Sequence, residues 1–286
     1  MSYNNFIEKI WAKGIQTELE RLHVFADGVN REYEGVIKNL GDTVRIKNVG
    51  KPTITRGTLA DVKRSIVLGD PEDVPDGAVS VVVDQYSTFN YKVEDIDKAQ
   101  GAGDVMDALN KETSEGLADE HDKFIANLVL GDAGVKMYNG GTPITLTKDN
   151  VFEVLDLAQQ GLWENDVNPT TGLTTIVPPW VHTLLRQGYI KTDTDNSQML
   201  QNGMVAKYGN IGIKMSNNVA TKKVSNADVW YIQMRTDRAI AFVNQATHLE
   251  PYRPEKGFSD AMKGLDLFGG KIVRPKEIIT IPVKKA

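Results

Sequence analysis

The stretch VVVDQYSTFNYKVEDIDKAQ, residues 81–100, hands one periodicity over to another. Before it, Val79-Ser80-Val81-Val82-Val83 is a β-branched run that predicts a strand. Near its end begins a pattern that lasts to residue 130. There Ile96, Ala99, Gly103, Met106, Leu109, Thr113, Leu117, Phe124 and Leu128 trace a narrow helical stripe. Asp95 and Asp97 suit the positive end of a helix dipole. Asp107/Lys111 and Asp119/Lys123, four residues apart, predict a solvated charge ladder on the opposite face. A helix over 95–130 would run roughly 54 Å, longer than a compact domain of this size needs, and so reads as a strut that Gly101, Gly103 and Gly116 could bend.

Upstream, residues 44–83 form a long hairpin-like excursion. Strand-like runs at 44–49, 53–59 and 65–68 lead to a turn-rich 69–77, and the chain returns along 79–83. Its charges are segregated: Arg45, Lys47, Lys51, Arg56, Lys63 and Arg64 come early, Asp70, Glu72, Asp73 and Asp76 late. An excursion with so few apolar residues cannot bury much of itself. Further upstream, Phe6, Ile7, Ile10, Trp11, Ile15, Leu19, Leu22 and Phe25 predict an amphipathic helix ending at Asp27-Gly28.

Downstream of Asn139-Gly140-Gly141 helices and strands alternate: helix 150–163, strand 173–177, helix 180–187 after Pro178-Pro179, then a polar loop at 191–198. Strand pairs are expected at 203–208 with 211–215, and at 228–235 with 238–243 around Thr236-Asp237. A last strand is expected at 271–273, continuing past Pro275 into 278–281. The fold class is α+β, without repeats.

Composition removes several function classes. The 286 residues include 33 Lys+Arg and 38 Asp+Glu, a net charge of -5, which argues against a protein that grips nucleic acid tightly. With no cysteine, disulfides, thiolate catalysis, zinc ribbons and iron–sulfur clusters are excluded. The start, MSYNNFIEKIWAKG, lacks the pattern of a signal peptide, and no run of 18 apolar residues occurs, so no membrane partner is expected.

No catalytic constellation stands out. His23, His121, His182 and His248 are far apart and outside metal-ligand spacing, which predicts surface or packing histidines. Gly101-Ala102-Gly103 lacks the third glycine of a dinucleotide loop, and no phosphate loop or nucleophile elbow is present. Glu94, Asp95, Asp97, Asp104 and Asp107 read as carboxylates at a helix start, and Asp193-Thr194-Asp195-Asn196 as a surface loop, rather than cation sites. No cofactor, metal or catalytic residue is expected.

Three stretches carry a family likeness: VNREYEGVIKNLGDTVRI (29–46), VVVDQYSTFNYKVEDIDKAQ (81–100) and LEPYRPEKGFSDAMKGLDLFGGKIVRP (249–275). With the order of elements, they resemble the major capsid proteins of tailed bacteriophages with the Hong Kong 97-type fold. The resemblance implies an N-terminal arm (1–42), an extended loop (43–84) and a peripheral domain with a long spine helix (85–147). It further implies a mixed α/β axial domain (148–246), return strands of the peripheral domain (247–270) and a C-terminal strand (271–286). It implies a non-enzymatic homo-oligomer of pentamers and hexamers in an icosahedral shell, built in the host cytoplasm and ending in the virion. Its partners would be a scaffolding protein, a portal protein, a decoration protein and packaged double-stranded DNA bound without sequence specificity. No long internal scaffolding segment is visible at the N-terminus, so a separate scaffolding protein and no N-terminal trimming are expected.

The inter-subunit contacts expected on this resemblance are Arg45, Lys47, Arg56, Lys63, Arg64, Asp70, Glu72 and Asp73 of the loop, with Phe6 and Trp11 of the arm. Two rivals stand beside this reading. One is an encapsulin-type nanocompartment, with the same fold around a protein cargo. The other is a soluble α+β enzyme with a deep site in the 150–283 half, using His182 or the 191–198 loop.

Overall fold

The computed structural model describes residues 23–32, 43–49, 54, 56, 76–94, 105–132, 134–192, 207–254 and 259–286. Strands β1 (Thr43–Val49) and β2 (Asp76–Val82) form an antiparallel ribbon in which Thr43 faces Val82 and Val49 faces Asp76. The expected hairpin is therefore present at its base; of the turn expected at 69–77, residues 76 and 77 already belong to β2, and the rest, with the strand run at 65–68, lies outside the described residues. Ile54 and Arg56, from the run at 53–59, are not in a strand.

β3 (Gln85–Glu94) follows within three residues of β2 and pairs along its whole length with β12 (Ser259–Ile272). β12 pairs in turn with β11 (Ile240–Tyr252), giving a long antiparallel sheet in the order β11-β12-β3. Helix α1 (Val105–Gly131) lies against it through Leu117 and Ala118, which meet Met262, Phe89 and Tyr91. At about 1.5 Å per residue α1 runs about 40 Å. The expected helix residues 95–104 lie outside the described residues. The buried face of α1 is Ser114, Leu117, Ala118, His121, Asp122, Ile125, Ala126 and Val129. Of the expected stripe, Leu117 is buried while Phe124 and Leu128 are only half-buried. Lys123 bonds Glu120, with Asp119 adding a weaker attraction at the expected rung, while the Asp119 carboxylate accepts from Asn218.

The second sheet is mixed, in the order β4 (Lys136–Met137), β13 (Ile278–Lys284), β10 (Ala227–Arg235), β6 (Leu173–Val177), β8 (Ile211–Met215), β7 (Lys207–Tyr208). β5 (Ile144–Thr145) adds to β13, and β9 (Thr221–Val224) to β10. Helix α2 (Val151–Trp163) buries Val151, Val154, Leu155, Ala158 and Leu162, the i, i+3, i+4, i+7 set of one face. Helix α3 (Pro179–Thr192) is the crossover that parallel β6 and β8 require. Both helices cover one face of the sheet; the C-terminal part of α1 and residues 25–29 cover the other. The β9–β10 hairpin turns on Ser225 and Asn226, both at positive φ, as a two-residue turn between twisted strands favours.

Three expectations change. The helix predicted over 6–25 does not extend through 23–25, where the chain makes bends and turns at Gly28 with φ of +94; residues 6–22 lie outside the described set. β10 and the strand after it do not pair. Thr236 N–H donates to Glu277 O and its hydroxyl to Glu277 Oε2, turning the chain from the mixed sheet into the antiparallel one. Likewise 271–273 and 278–281 are not one strand. The Pro275–Glu277 turn sends β13 into the centre of the mixed sheet, because Pro275 cannot donate to a ladder.

Candidate functional site

Two peripheral segments are fastened to this body, and each is built differently. Residues 23–32 cross α1 in an extended, turn-rich path. Asn30 inserts as a single parallel bridge beside β11: its N–H donates to Ile240 O at 2.9 Å and its O accepts from Phe242 N–H at 3.1 Å. Preceding it, the backbone N–H groups of Val24, Phe25 and Ala26 converge on the carboxylate of Asp122, at 2.9, 3.0 and 3.1 Å. Such a cradle satisfies three donors that no helix or sheet would otherwise pair. Burial pushes the Asp122 carboxyl above its ordinary pKa, and the three N–H bonds oppose that push.

Arg235 completes the underside. Fully buried at the end of β10, it donates to Phe25 O at 2.6 Å and to Gln233 Oε1 at 3.1 Å, while Gln233 donates to Ile125 O and Ala126 O on α1. Desolvation lowers the guanidinium pKa to about 10, against the attraction of Asp237 and Asp122, so it stays charged near neutrality. Above, His23 Nε2 lies 3.1 Å from His121 Nδ1, and His121 Nε2 lies 2.5 Å from Asp266 Oδ2 on β12. His121 and Asp266 have side-chain exposures of 0% and 1%. The sequence reading left these histidines partnerless; the fold joins residues 98 and 145 positions apart. One sign was legible: His121 stands four residues from both Leu117 and Ile125, on the apolar side of α1.

The root of the excursion is apolar. Val81 and Val83 are buried against Ala241 and Val243, with Ile46, Leu267 and Val273 packed around them. Gly269 of β12 permits the close approach: a Cβ there would fall 2.2 Å from Val82 O and 2.9 Å from Val83 Cα. Ile54, one of the described residues of the excursion beyond the root, is 90% exposed.

Of the residues expected at subunit contacts, Arg45 and Lys47 sit in β1, opposite Ser80 and Ala78 in the register. Arg56 is exposed. Phe6, Trp11, Lys63, Arg64, Asp70, Glu72 and Asp73 lie outside the described residues. His182 is half-buried on α3, and residues 193–198 of the polar loop lie outside the described set, while Lys191 and Thr192 end α3. Among the described residues no group of three His, Cys, Asp or Glu side chains could hold a metal ion, and no helix is long and apolar enough to cross a membrane. An open groove beside the end of α1, lined by Phe124, Leu128, Gly131, Asp132, Lys271 and Ile272, brings no histidine or paired carboxylates together.

Comparison with known proteins gives a consistent answer. A structure from Mycobacterium phage Che8 superposes with a TM-score of 0.72 at 27% identity, covering 91% of this chain and 90% of that one. The capsid of cyanophage P-SCSP1u gives 0.68 at 16% identity over 92% and 89%. A virus-like particle from Pyrococcus furiosus gives 0.58 at 14% over 96% and 98%. No curated protein matches the sequence. The family model for phage capsid protein matches residues 77–281, from the returning limb of the ribbon to the penultimate strand residues, and covers well over half of the chain. The buried polar groups accordingly hold segments together rather than perform chemistry, and the chain belongs to the phage capsid proteins, with the Hong Kong 97-type fold.

Proposed function

We propose that the chain is the major capsid protein of a phage head, assembling as pentamers and hexamers into an icosahedral shell around double-stranded DNA. The observation that carries this reading is the excursion: a ribbon rooted by Val81 and Val83 whose outer part presents Ile54 to solvent. An apolar side chain at 90% exposure, on an excursion whose sequence holds few apolar residues, supports burial supplied by another copy. On this reading 1–42 is the arm, 43–84 the extended loop and 85–147 with 247–270 the peripheral domain around the spine helix α1. The axial domain is 148–246, and 271–286 contributes β13 to its sheet. Scaffolding, portal and decoration proteins are the partners expected around it, and the DNA is contained rather than gripped, in keeping with the net charge of -5.

The test is electron microscopy of the purified chain, alone and co-expressed with a candidate scaffolding protein. Shells, tubes or rings of five or six subunits are expected. Compact monomers under both conditions would overturn the proposal. A nanocompartment shell is the second reading, favoured by the likeness to a virus-like particle over nearly the whole of both chains. Particles filled with protein rather than DNA would select it.

A further inference from the structure

We propose that Arg31, His23, His121 and Asp266 form a proton-sensitive latch that fastens residues 23–32 to α1 and β12, and that one added proton opens it. Arg31 Nη2 lies 3.2 Å from His23 Nδ1, and a guanidinium can only donate, so Nδ1 accepts. The single proton of neutral His23 is then on Nε2, which faces His121 Nδ1 at 3.1 Å; that atom accepts in its turn. The proton of His121 is left on Nε2, donating to Asp266 Oδ2 at 2.5 Å. Three donations run in one direction, and each imidazole carries one proton.

A second proton has no place in this chain. On His23 it would sit on Nδ1, against the N–H of Arg31 and beside its charge. On His121 it would sit on Nδ1, against the Nε2–H of His23, at a site with no exposure to water. Either position sets two hydrogens head to head, so the proton is accepted when residues 23–32 lift away. The titratable and charged groups facing His23 are Asp27 and Arg31 on its own segment and His121 on α1; Asp266 reaches it through His121, and Asp122 holds the next residues through Val24, Phe25 and Ala26 N–H. Arg235 of β10 holds the segment through Phe25 O.

Burial, and after it the charge of Arg31, lower the His23 pKa from 6.5 toward about 3, with Asp27 opposing. Between those values the lifted state binds more protons than the latched one. Closure is therefore strongest above pH 6.5 and weakens about tenfold per pH unit as pH falls toward 3. Asp122 acts in the opposite sense, since its raised pKa favours the closed state in acid. It stays in place when His23 is replaced, so a variant there isolates the latch. On the capsid reading, which gives the latch its use, residues 23–32 are the hinge by which the arm leaves its subunit, and protonation frees the arm.

The experiment is hydrogen exchange of unassembled full-length subunits, followed by mass spectrometry at pH 7.5 and 4.5 with correction for intrinsic rates. Wild-type peptides spanning 23–32 are expected to lose about a hundredfold in protection at pH 4.5, while β10 and β13 keep theirs. His23→Gln retains an oxygen for Arg31 and an N–H for His121 but cannot titrate, so it should stay protected at pH 7.5 and lose the hundredfold drop. A drop as large as wild type in this variant, or no drop in wild type, overturns the latch. Should His23→Gln fail to fold, Arg31→Met serves. Without the obligatory donor His23 can hold a proton on Nδ1, the drop should shrink below tenfold, and an unchanged drop overturns the proposal. Assembly is not read in this experiment, so subunits that form no shells bear on the capsid reading and leave the latch result standing.

Discussion

At the root of the excursion, Val81 and Val83 meet Ala241 and Val243 with no side-chain polar group among them; at residues 23–32, Asp122, His121, Asp266 and Arg235 lie beneath the chain. Apolar contact is undirected and indifferent to pH, so the root tolerates rearrangement of its side chains but not of its backbone spacing. The polar anchor is the reverse. Its hydrogen bonds fix one path for the chain, and their strength depends on where protons sit. On the capsid reading proposed above, outer segments placed on neighbouring copies would gain from one fastening that is permanent and one that can be released.

The sharpest way to break the contrast is Gly269→Val. With a Cβ only 2.2 Å from Val82 O, β2 must move off β12, and we expect a loss of about 4 kcal/mol in denaturant unfolding. A loss under 1 kcal/mol would show that the ribbon's root is not held where the structure has it. Next is Asp122→Ala, which strands three N–H groups and should cost about 3 kcal/mol, with proteolysis at Arg31 accelerated at pH 7.5. Unaltered proteolysis would mean that the cradle does not hold the segment. Val83→Ala should cost about 2 kcal/mol and, unlike the polar anchor, the same amount at pH 7.5 and 5.0. A pH-dependent cost there would erase the distinction between the two fastenings.

The same contrast explains what the sequence disclosed. Apolar elements were readable: the ribbon's two limbs, β6 at residues 173–177 and the buried face of α2 all follow from local period and branching. Sheet membership was not. Nothing near Thr236 reveals that its partner is Glu277, 41 residues away, which is why the chain after β10 leaves the mixed sheet instead of folding back on it. The polar anchor was hidden for the same reason. His121 stands on the apolar side of α1, but its partners stay hidden until His23, 98 positions earlier, and Asp266, 145 later, are brought to it. Identity, by contrast, was legible from element order and three stretches of sequence, because the family model spans the very segment, 77–281, that carries two of them.

The smallest effect on the subunit is expected from the charges of the excursion. Arg56 is exposed, and in the β1–β2 register Arg45 and Lys47 stand opposite Ser80 and Ala78. Exposed ion pairs are individually weak, yet a shell repeats each contact across every subunit, and like charges brought together at each would oppose closure everywhere. Replacing Arg56, Lys63 and Arg64 with Glu should therefore leave the melting temperature within about 2 °C of wild type while abolishing shells in electron microscopy. Normal shells from the triple variant would remove the basic limb from the assembly contacts, and a collapsed melting temperature would place these residues in the subunit's own stability instead.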